Sequence, residues 1–329
     1  MRARSGYSAG MCYSAQILAD YRKYVRHHGA TVDLKEFVDL FWRRLTDASI
    51  KIPKAMEAPF ADPQGDDEAR IKAHVDTFHR QEAARLEQEL FKQRKRLADA
   101  ERTLQSKATK AATESKRIAT AKVEWALGKL GDLRRSDLID DDSRIFPAHY
   151  APVMVWENGR RVIKPMRYQC RLPGKPAFHD AKFPGTYNAR RDNLEGYWRE
   201  LFGHSHGVMV LDAFFENVSR HNVERRALAS GEQPENVVLE FRPRPPRPMW
   251  VACLWSRWTA RGEPDLLSFA AITDEPPPEI AAAGHDRCII PIRPEHVDAW
   301  LQPKASDLAT QRAILDDREP TYYEHRLAA

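Results

Sequence analysis

A chain of 329 residues, 42% hydrophobic and 30% charged, is long enough for one large domain or two modest ones around a packed core. No apolar run approaches the roughly 20 residues that cross a bilayer, and the opening MRARSGYSAGM lacks the apolar stretch of a secretory signal. Cys12, Cys170, Cys253 and Cys288 lie far apart without a CxxC pair, which argues against a zinc site and against a disulfide framework. A reduced, cytoplasmic, monomeric protein with no membrane contact, metal or cofactor is expected.

Residues 1–11 carry no pattern and read as an extension absent from the mature chain. A helix is predicted over Asp33–Arg44, where Leu34, Phe37, Val38, Leu40 and Phe41 share one face. The loop from Ile52 to Gly65, with three prolines, ends it. Residues 66 to about 128 then hold no Pro or Gly before Gly128 and consist largely of good helix formers. Leu90, Leu97, Leu104, Ala111, Ile118 and Trp125 recur every seven residues, and their partner position is mostly polar, so the seam is narrow. The polar stretch Gln105–Lys116 is a candidate bend that would fold the segment into an antiparallel hairpin. Residues 66–135 hold seventeen Lys/Arg against twelve Asp/Glu, the whole of the +5 net charge. A solvated arm packing on itself is the favoured reading of this coiled-coil-like insertion (51–144). The alternative is a contact with nucleic acid or with a replication-associated partner protein.

From Ile145 the texture changes. The runs APVMVW, RRVI, GVMVLDAFFENV, NVVLEF, MWVACLW, LLSFAAIT and RCIIPI alternate with Pro and Gly turns, which reads as strands, several of them hairpin-linked. Helices are predicted after Asn193, closed by Gly203, and over Pro294–Leu301. The fold class is α+β, a mainly antiparallel sheet or barrel with flanking helices. It divides into a discontinuous domain (12–50 and 145–302), the insertion, and a polar tail (303–329) expected to pack loosely. The stretch Arg242–Pro248 reads as an extended linker between strands.

Met11 before Cys12 offers a second start site. If the chain begins at Cys12, its thiol and its α-amine sit on adjacent carbons, and an amine with pKa near 8 is partly neutral at cytoplasmic pH. Such a group forms an imine with an aldehyde and closes it to a five-membered thiazolidine. Asn188 and Arg190, two apart in Thr186–Arg190, share a face if extended: an amide to orient an amine or a sugar oxygen, a guanidinium to grip phosphate. Leu211–Glu216 ends an apolar run in a carboxylate, where partial burial would move it towards the acid–base range. Gly284-His285-Asp286-Arg287-Cys288 opens a strand with an imidazole. The bland alternatives are a turn Asn, a strand-end surface Glu and a hydrogen-bonded His. His204 and His206 could present two imidazoles on one strand face, but no third metal ligand is evident.

Taken in order, these segments resemble the SRAP (SOS response-associated peptidase, abasic site processing) family. Its pattern is an N-terminal Cys after Met, Asn-Ala-Arg-x-Glu, Asp-Gly-Phe-Tyr-Glu-Trp, and His followed by Asp/Glu-Arg-Met-Pro. Here these stand as Cys12, Asn188-Ala189-Arg190-Arg191-Asp192, Asp212-Ala213-Phe214-Phe215-Glu216-Asn217 and His285-Asp286-Arg287-Cys288-Ile289. Pro165-Met166-Arg167-Tyr168 resembles its Met-Arg-Trp-Gly stretch, and Ala252-Cys253-Leu254-Trp255 its Ala-Gly-Leu-Trp strand. The resemblance covers Cys12 and about 146–301, and implies covalent capture of abasic sites in single-stranded DNA. Cys12 would be the nucleophile, Asn188 would position the amine and the opened sugar, Glu216 would be general acid–base, and His285 would assist ring opening. Arg190 and Arg167 would hold phosphates and Tyr168 would stack on bases. Tyr13-Ser14 replaces the Gly-Arg usual after the Cys, Asp192 the Glu, Asn217 the Trp and Tyr168-Gln169 the Trp-Gly. By the same resemblance the enzyme would be of a Cys peptidase or hydrolase type with lyase-like Schiff-base chemistry. Two rival classes remain: an N-terminal-Cys peptidase or self-processing hydrolase, and a non-catalytic binding protein built around the arm.

Overall fold

The computed structural model describes residues 14–318 and 320–328, so Cys12 lies outside the described residues. The first strand, β1 (Ser14–Ile17), is buried throughout. Helix α1 (Tyr21–His28) starts where the Asp20 carboxylate accepts from the Arg22 amide, and closes at Gly29, whose φ of 59° suits glycine. After β2 (Thr31–Val32), the Asp33 carboxylate caps α2 (Leu34–Arg43), which buries Phe37, Val38, Leu40 and Phe41 as its periodicity predicts.

The arm is a hairpin. α3 (Asp66–Ser106) begins with three acidic residues on the positive end of the helix dipole, and α4 (Lys110–Arg134) begins where Thr109 Oγ1 accepts from the Ala112 amide. The bend at 107–109 falls inside the predicted polar stretch. The seam differs from the predicted frame: Leu86, Gln93 and Ala100 are buried on α3, and Ala112, Ala119 and Ala126 on α4. Both sets keep the seven-residue spacing, but Lys107 and Thr109 are extended, and across them Ala100 and Ala112 stand twelve residues apart, so α4 starts a register of its own. Ala111 is therefore exposed and Trp125 is 46% exposed. Alanine on one side of the seam lets the two helices pack closely.

All seven predicted strands form, as β4 (Tyr150–Glu157), β5 (Arg160–Tyr168), β7 (His206–Ser219), β8 (Asn236–Arg244), β9 (Met249–Trp258), β10 (Leu266–Asp274) and β11 (Cys288–Ile289), and they are joined by β3 (Arg144–Ile145), β6 (Asn188–Arg190) and β12 (Tyr322–Leu327), which were not among them. Short helices α5 (His179–Lys182), α6 (Arg220–Val223), α7 (Pro278–Ala282) and α8 (Val297–Leu301), with α9 (Leu308–Asp316), flank them. Among the described residues the strands make one twelve-stranded sheet. Within it β4, β5, β10, β9 and β7 close a ring whose pairs are antiparallel except β5–β10. Asn158 and Gly159, both at positive φ, make the two-residue turn that fixes the β4–β5 register at Glu157↔Arg160. Met154, Ile163, Val208, Leu254 and Phe269, one from each ring strand, are fully buried.

Three expectations are corrected. Residues 194–203 form successive turns and no regular helix, because Asn193 draws the following amides to itself. Its Oδ1 accepts from the Tyr197 amide, and its carbonyl accepts from Gly196 and Trp198. The tail does not pack loosely: β12 pairs with β8 over six residues, and Ile314, Leu315 and Tyr323 are buried. Arg242–Pro248 is no free linker either, since Arg242, Pro243 and Arg244 lie in β8 opposite β12.

Candidate active site

Glu216 lies on β7 opposite Leu239 of β8, one residue past Phe215, which pairs with Ser14 of β1. The carboxylate that sequence alone left as a possible surface group is fully buried. His285 reaches it from the far side. α7 runs out at Ala283, and Gly284 turns the chain at φ +93°, its amide donating to the Ala281 carbonyl. A Cβ on Gly284 would stand 2.7 Å from Cβ of Asn222 in α6, so only glycine fits this close approach of α6 to the turn.

His285 Nε2 lies 3.1 Å from Glu216 Oε2, and both side chains are at most 2% exposed. His285 Nδ1 is 2.8 Å from the Arg287 carbonyl, which can only accept, so Nδ1 carries the hydrogen. Burial pushes the imidazole below its ordinary value, outweighing the Arg287 hydrogen bond and the Asp286 charge that favour the cation. An imidazole lone pair then faces a carboxyl oxygen away from water, and burial favours one proton held between them over a separated charge pair.

Asn188 opens β6, which pairs in parallel with the end of β10 (Asn188↔Ala271), while β11, three residues past His285, pairs antiparallel with that same end. The Asn188 side chain is buried, and its Oδ1 accepts from the Tyr168 hydroxyl at 3.4 Å. Tyr168 is only 2% exposed, stacked on Phe269 and edge-on to Tyr187. Its ring presents no open face to a base; its hydroxyl orients the amide. Arg167 is held by Asp180 at 2.8 Å and by the Gln169 carbonyl, and Asp180 also binds Arg171. Arg190 is half exposed and paired with Asp192 at 2.6 Å. The structure therefore joins Glu216 with His285 and Asn188 with Tyr168, leaving the two arginines on carboxylates.

Sequence reasoning passed over Arg144. Its guanidinium donates to Ser14 Oγ at 3.2 Å and lies 3.8 Å over the Phe215 ring, beside the start of β1. Nothing in the acidic run before it signals this, since the placement comes from the β1–β3 pairing Gln16↔Arg144. The three described cysteines are buried. Burial pushes the Cys170 thiol up to about 12 and raises those of Cys253 and Cys288, the last also under the Glu216 charge, so none is poised as a thiolate. His206 is a core residue, its Nε2 accepting from the Gly203 amide at 2.8 Å and its Nδ1 facing the Trp300 carbonyl. No cluster of three metal-ligating side chains occurs among the described residues. No helix there is long and apolar enough to cross a membrane.

These features define an α+β protein with a buried carboxylate–imidazole couple between β7 and the turn before β11. The model of the family described as SOS response associated peptidase (SRAP) matches residues 91–326, and the chain belongs to that family. The match begins inside α3, so Cys12 precedes it. Membership supports a role associated with DNA damage and with DNA binding. A crystal structure of a Bordetella bronchiseptica protein is 19% identical over 57% of this chain and 87% of that one, with a TM-score of 0.44. One from Bacteroides thetaiotaomicron is 12% identical over 57% and 78%, TM-score 0.43. A phage-related protein of B. bronchiseptica is 18% identical over 60% and 85%, TM-score 0.42. No curated protein matches the chain.

Proposed function

We propose that this SRAP protein captures abasic sites in single-stranded DNA covalently, through the α-amine and thiol of Cys12 in a chain that begins there. The observation that carries the reading is the Glu216–His285 contact of 3.1 Å, shut off from solvent. A surface glutamate or a satisfied core histidine needs no such partner, whereas aldehyde condensation needs a group that both gives and takes a proton. Only Tyr13 separates Cys12 from Ser14 in the sequence, and two peptide units reach at most about 7 Å. Ser14 in turn pairs with Phe215, next to Glu216.

His285 assists opening of the deoxyribose ring to its aldehyde. The neutral amine of Cys12 adds to C1′, its proton passing to the new oxygen to give a carbinolamine. Glu216 protonates that hydroxyl, which leaves as water, and takes back the proton of the nitrogen, so a neutral imine remains and the carboxyl is restored. The thiol adds across the imine carbon, its proton going to nitrogen, and the thiazolidine closes. One water is lost overall and no oxidant is needed. Asn188, held by Tyr168, positions the amine and the opened sugar; Arg190 and Arg167 exchange Asp192 and Asp180 for flanking phosphates. Arg144 adds a cation beside the β1 start, where the family's usual Gly-Arg is replaced by Tyr13-Ser14. The catalytic unit is read as 12–50 with 145–302, closed by α9 and β12, and 51–144 as an insertion.

Intact-mass analysis of the protein mixed with an abasic oligonucleotide tests this. The account requires a product equal to protein plus oligonucleotide less one water, unchanged by borohydride because no imine persists. A protein that instead trims an N-terminal extension and gives no DNA adduct would be the peptidase of the rival reading.

A further inference from the structure

The net charge of the arm is not spread along it. Residues 92–117, its distal half, hold nine Lys/Arg against three Asp/Glu, while the proximal remainder of 66–135 holds eight against nine. In the distal half Arg102 pairs with Asp99, Lys116 with Glu101 and Arg117 with Glu114. That uses all three carboxylates. Lys92, Arg94, Lys95, Arg96, Lys107 and Lys110 remain, all exposed, and Arg96 donates only to Ser115 Oγ. Beside this run Phe91 is 73% exposed.

We propose that the distal half of the α3–α4 hairpin is a nucleic-acid-binding arm that grips the phosphates of DNA flanking the lesion. This deepens the reading of the chain as a protein acting on DNA. Six cations without an ion pair of their own repel one another, eased only by the Glu89 charge acting on Lys92 and the Glu114 charge acting on Arg96, and a polyanion relieves that repulsion while releasing its own counterions. The dimensions agree: residues 92–106 rise about 22 Å along α3, the length of roughly six nucleotides of a strand at about 3.4 Å each. The exposed Phe91 ring supplies a face on which a base can stack. A membrane surface fits less well, because the buried apolar positions of both helices face each other in the seam and leave no continuous apolar stripe outside.

The experiment uses the full chain and undamaged DNA, so that binding is read apart from capture. Fluorescence anisotropy of a long single strand (~40 nucleotides) is followed across salt concentrations for the wild type and for K92Q/R94Q/K95Q/R96Q/K107Q/K110Q. Glutamine is a good helix former, and far-UV circular dichroism checks that the hairpin persists. A second variant, K107E/K110E, changes only the bend and the first helical residue of α4. If all six cations touch phosphate, the slope of log K against log salt falls in magnitude by about 4 for a single strand. The bend variant loses a smaller share in the same direction. Covalent capture of a saturating, very short abasic strand stays unchanged in both. Unchanged affinity and slope in both folded variants overturn the proposal and leave the tip as a solvated face or a protein-docking surface. An arm effect without capture in any form would leave the arm standing and remove the capture reading.

Discussion

Replacing Gly284 by alanine tests how His285 is delivered to Glu216. The new Cβ meets Asn222 Cβ at 2.7 Å and Nδ2 at 2.9 Å, and the backbone must hold φ near +93°. The left-handed conformation costs a non-glycine residue roughly 1–2 kcal/mol, and forcing an extra methyl into a packed contact costs about 1–3 kcal/mol. Stiffening the unfolded chain returns about 0.4–1 kcal/mol, so Gly284→Ala should destabilise by about 1–4.6 kcal/mol. Urea unfolding reads this as a lower midpoint at constant m. In the cycle with Asn222→Gly, which deletes the clashing Cβ, the steric share is recovered as coupling and the φ share stays. A loss below about 0.5 kcal/mol, or a cycle without coupling, would refute the close approach of α6 to this turn.

Further outcomes follow from the same geometry. Glu216→Gln keeps the shape but removes the acid–base group, and should slow single-turnover capture about 10²- to 10⁴-fold without unfolding the chain. Gln93→Leu should raise stability by about 1 kcal/mol in urea titrations, since Gln93 is buried in the hairpin seam with its Oε1 unpaired. Burial pushes His206 down from 6.5 to about 3. Between those values the unfolded chain binds a proton that the folded chain refuses, so stability rises with pH and is lost on acidification. This histidine contributes a slope of about 1.4 kcal/mol per pH unit. His206→Gln should remove that slope between pH 6 and 4 in thermal or urea unfolding, whatever it does to stability at neutral pH.

Much of the fold was legible because its signals are local. Leu34–Arg43 showed its apolar face, and the apolar runs after Ile145 became the five strands of the closed ring together with β8 and β11 on its flanks. The heptad phase was not legible across the arm, because each helix has its own register, Leu86, Gln93 and Ala100 on α3 and Ala112, Ala119 and Ala126 on α4, with the extended Lys107 and Thr109 between them. The tail misled for another reason: its few apolar residues stand in polar surroundings, and only long-range contacts bury them, Tyr323 through the pairing of β12 with β8 and Ile314 and Leu315 through the packing of α9 on the main core. At the candidate site, the residue types in Asn188, Glu216 and His285 were visible, but their partners were not. Tyr168 looks like a base-stacking aromatic until Phe269 and Tyr187 cover it. Arg167 looks like a phosphate ligand until Asp180, thirteen residues on, takes it. The Glu216–His285 contact joins positions sixty-nine residues apart, a separation at which no spacing rule operates.

The most direct measurement is covalent capture itself. The chain would be expressed from Met11, Cys12 confirmed as its first residue by intact mass, and the protein mixed with a single-stranded oligonucleotide carrying one abasic site before denaturing electrophoresis. The account predicts a heat-stable protein–DNA band that is lost in Cys12→Ala and in a form with an uncleaved N-terminal extension. Cys12→Ser, which keeps the amine but not the thiol, should give at most a heat-labile product. Absence of the band from a protein whose first residue is Cys12 would contradict the account.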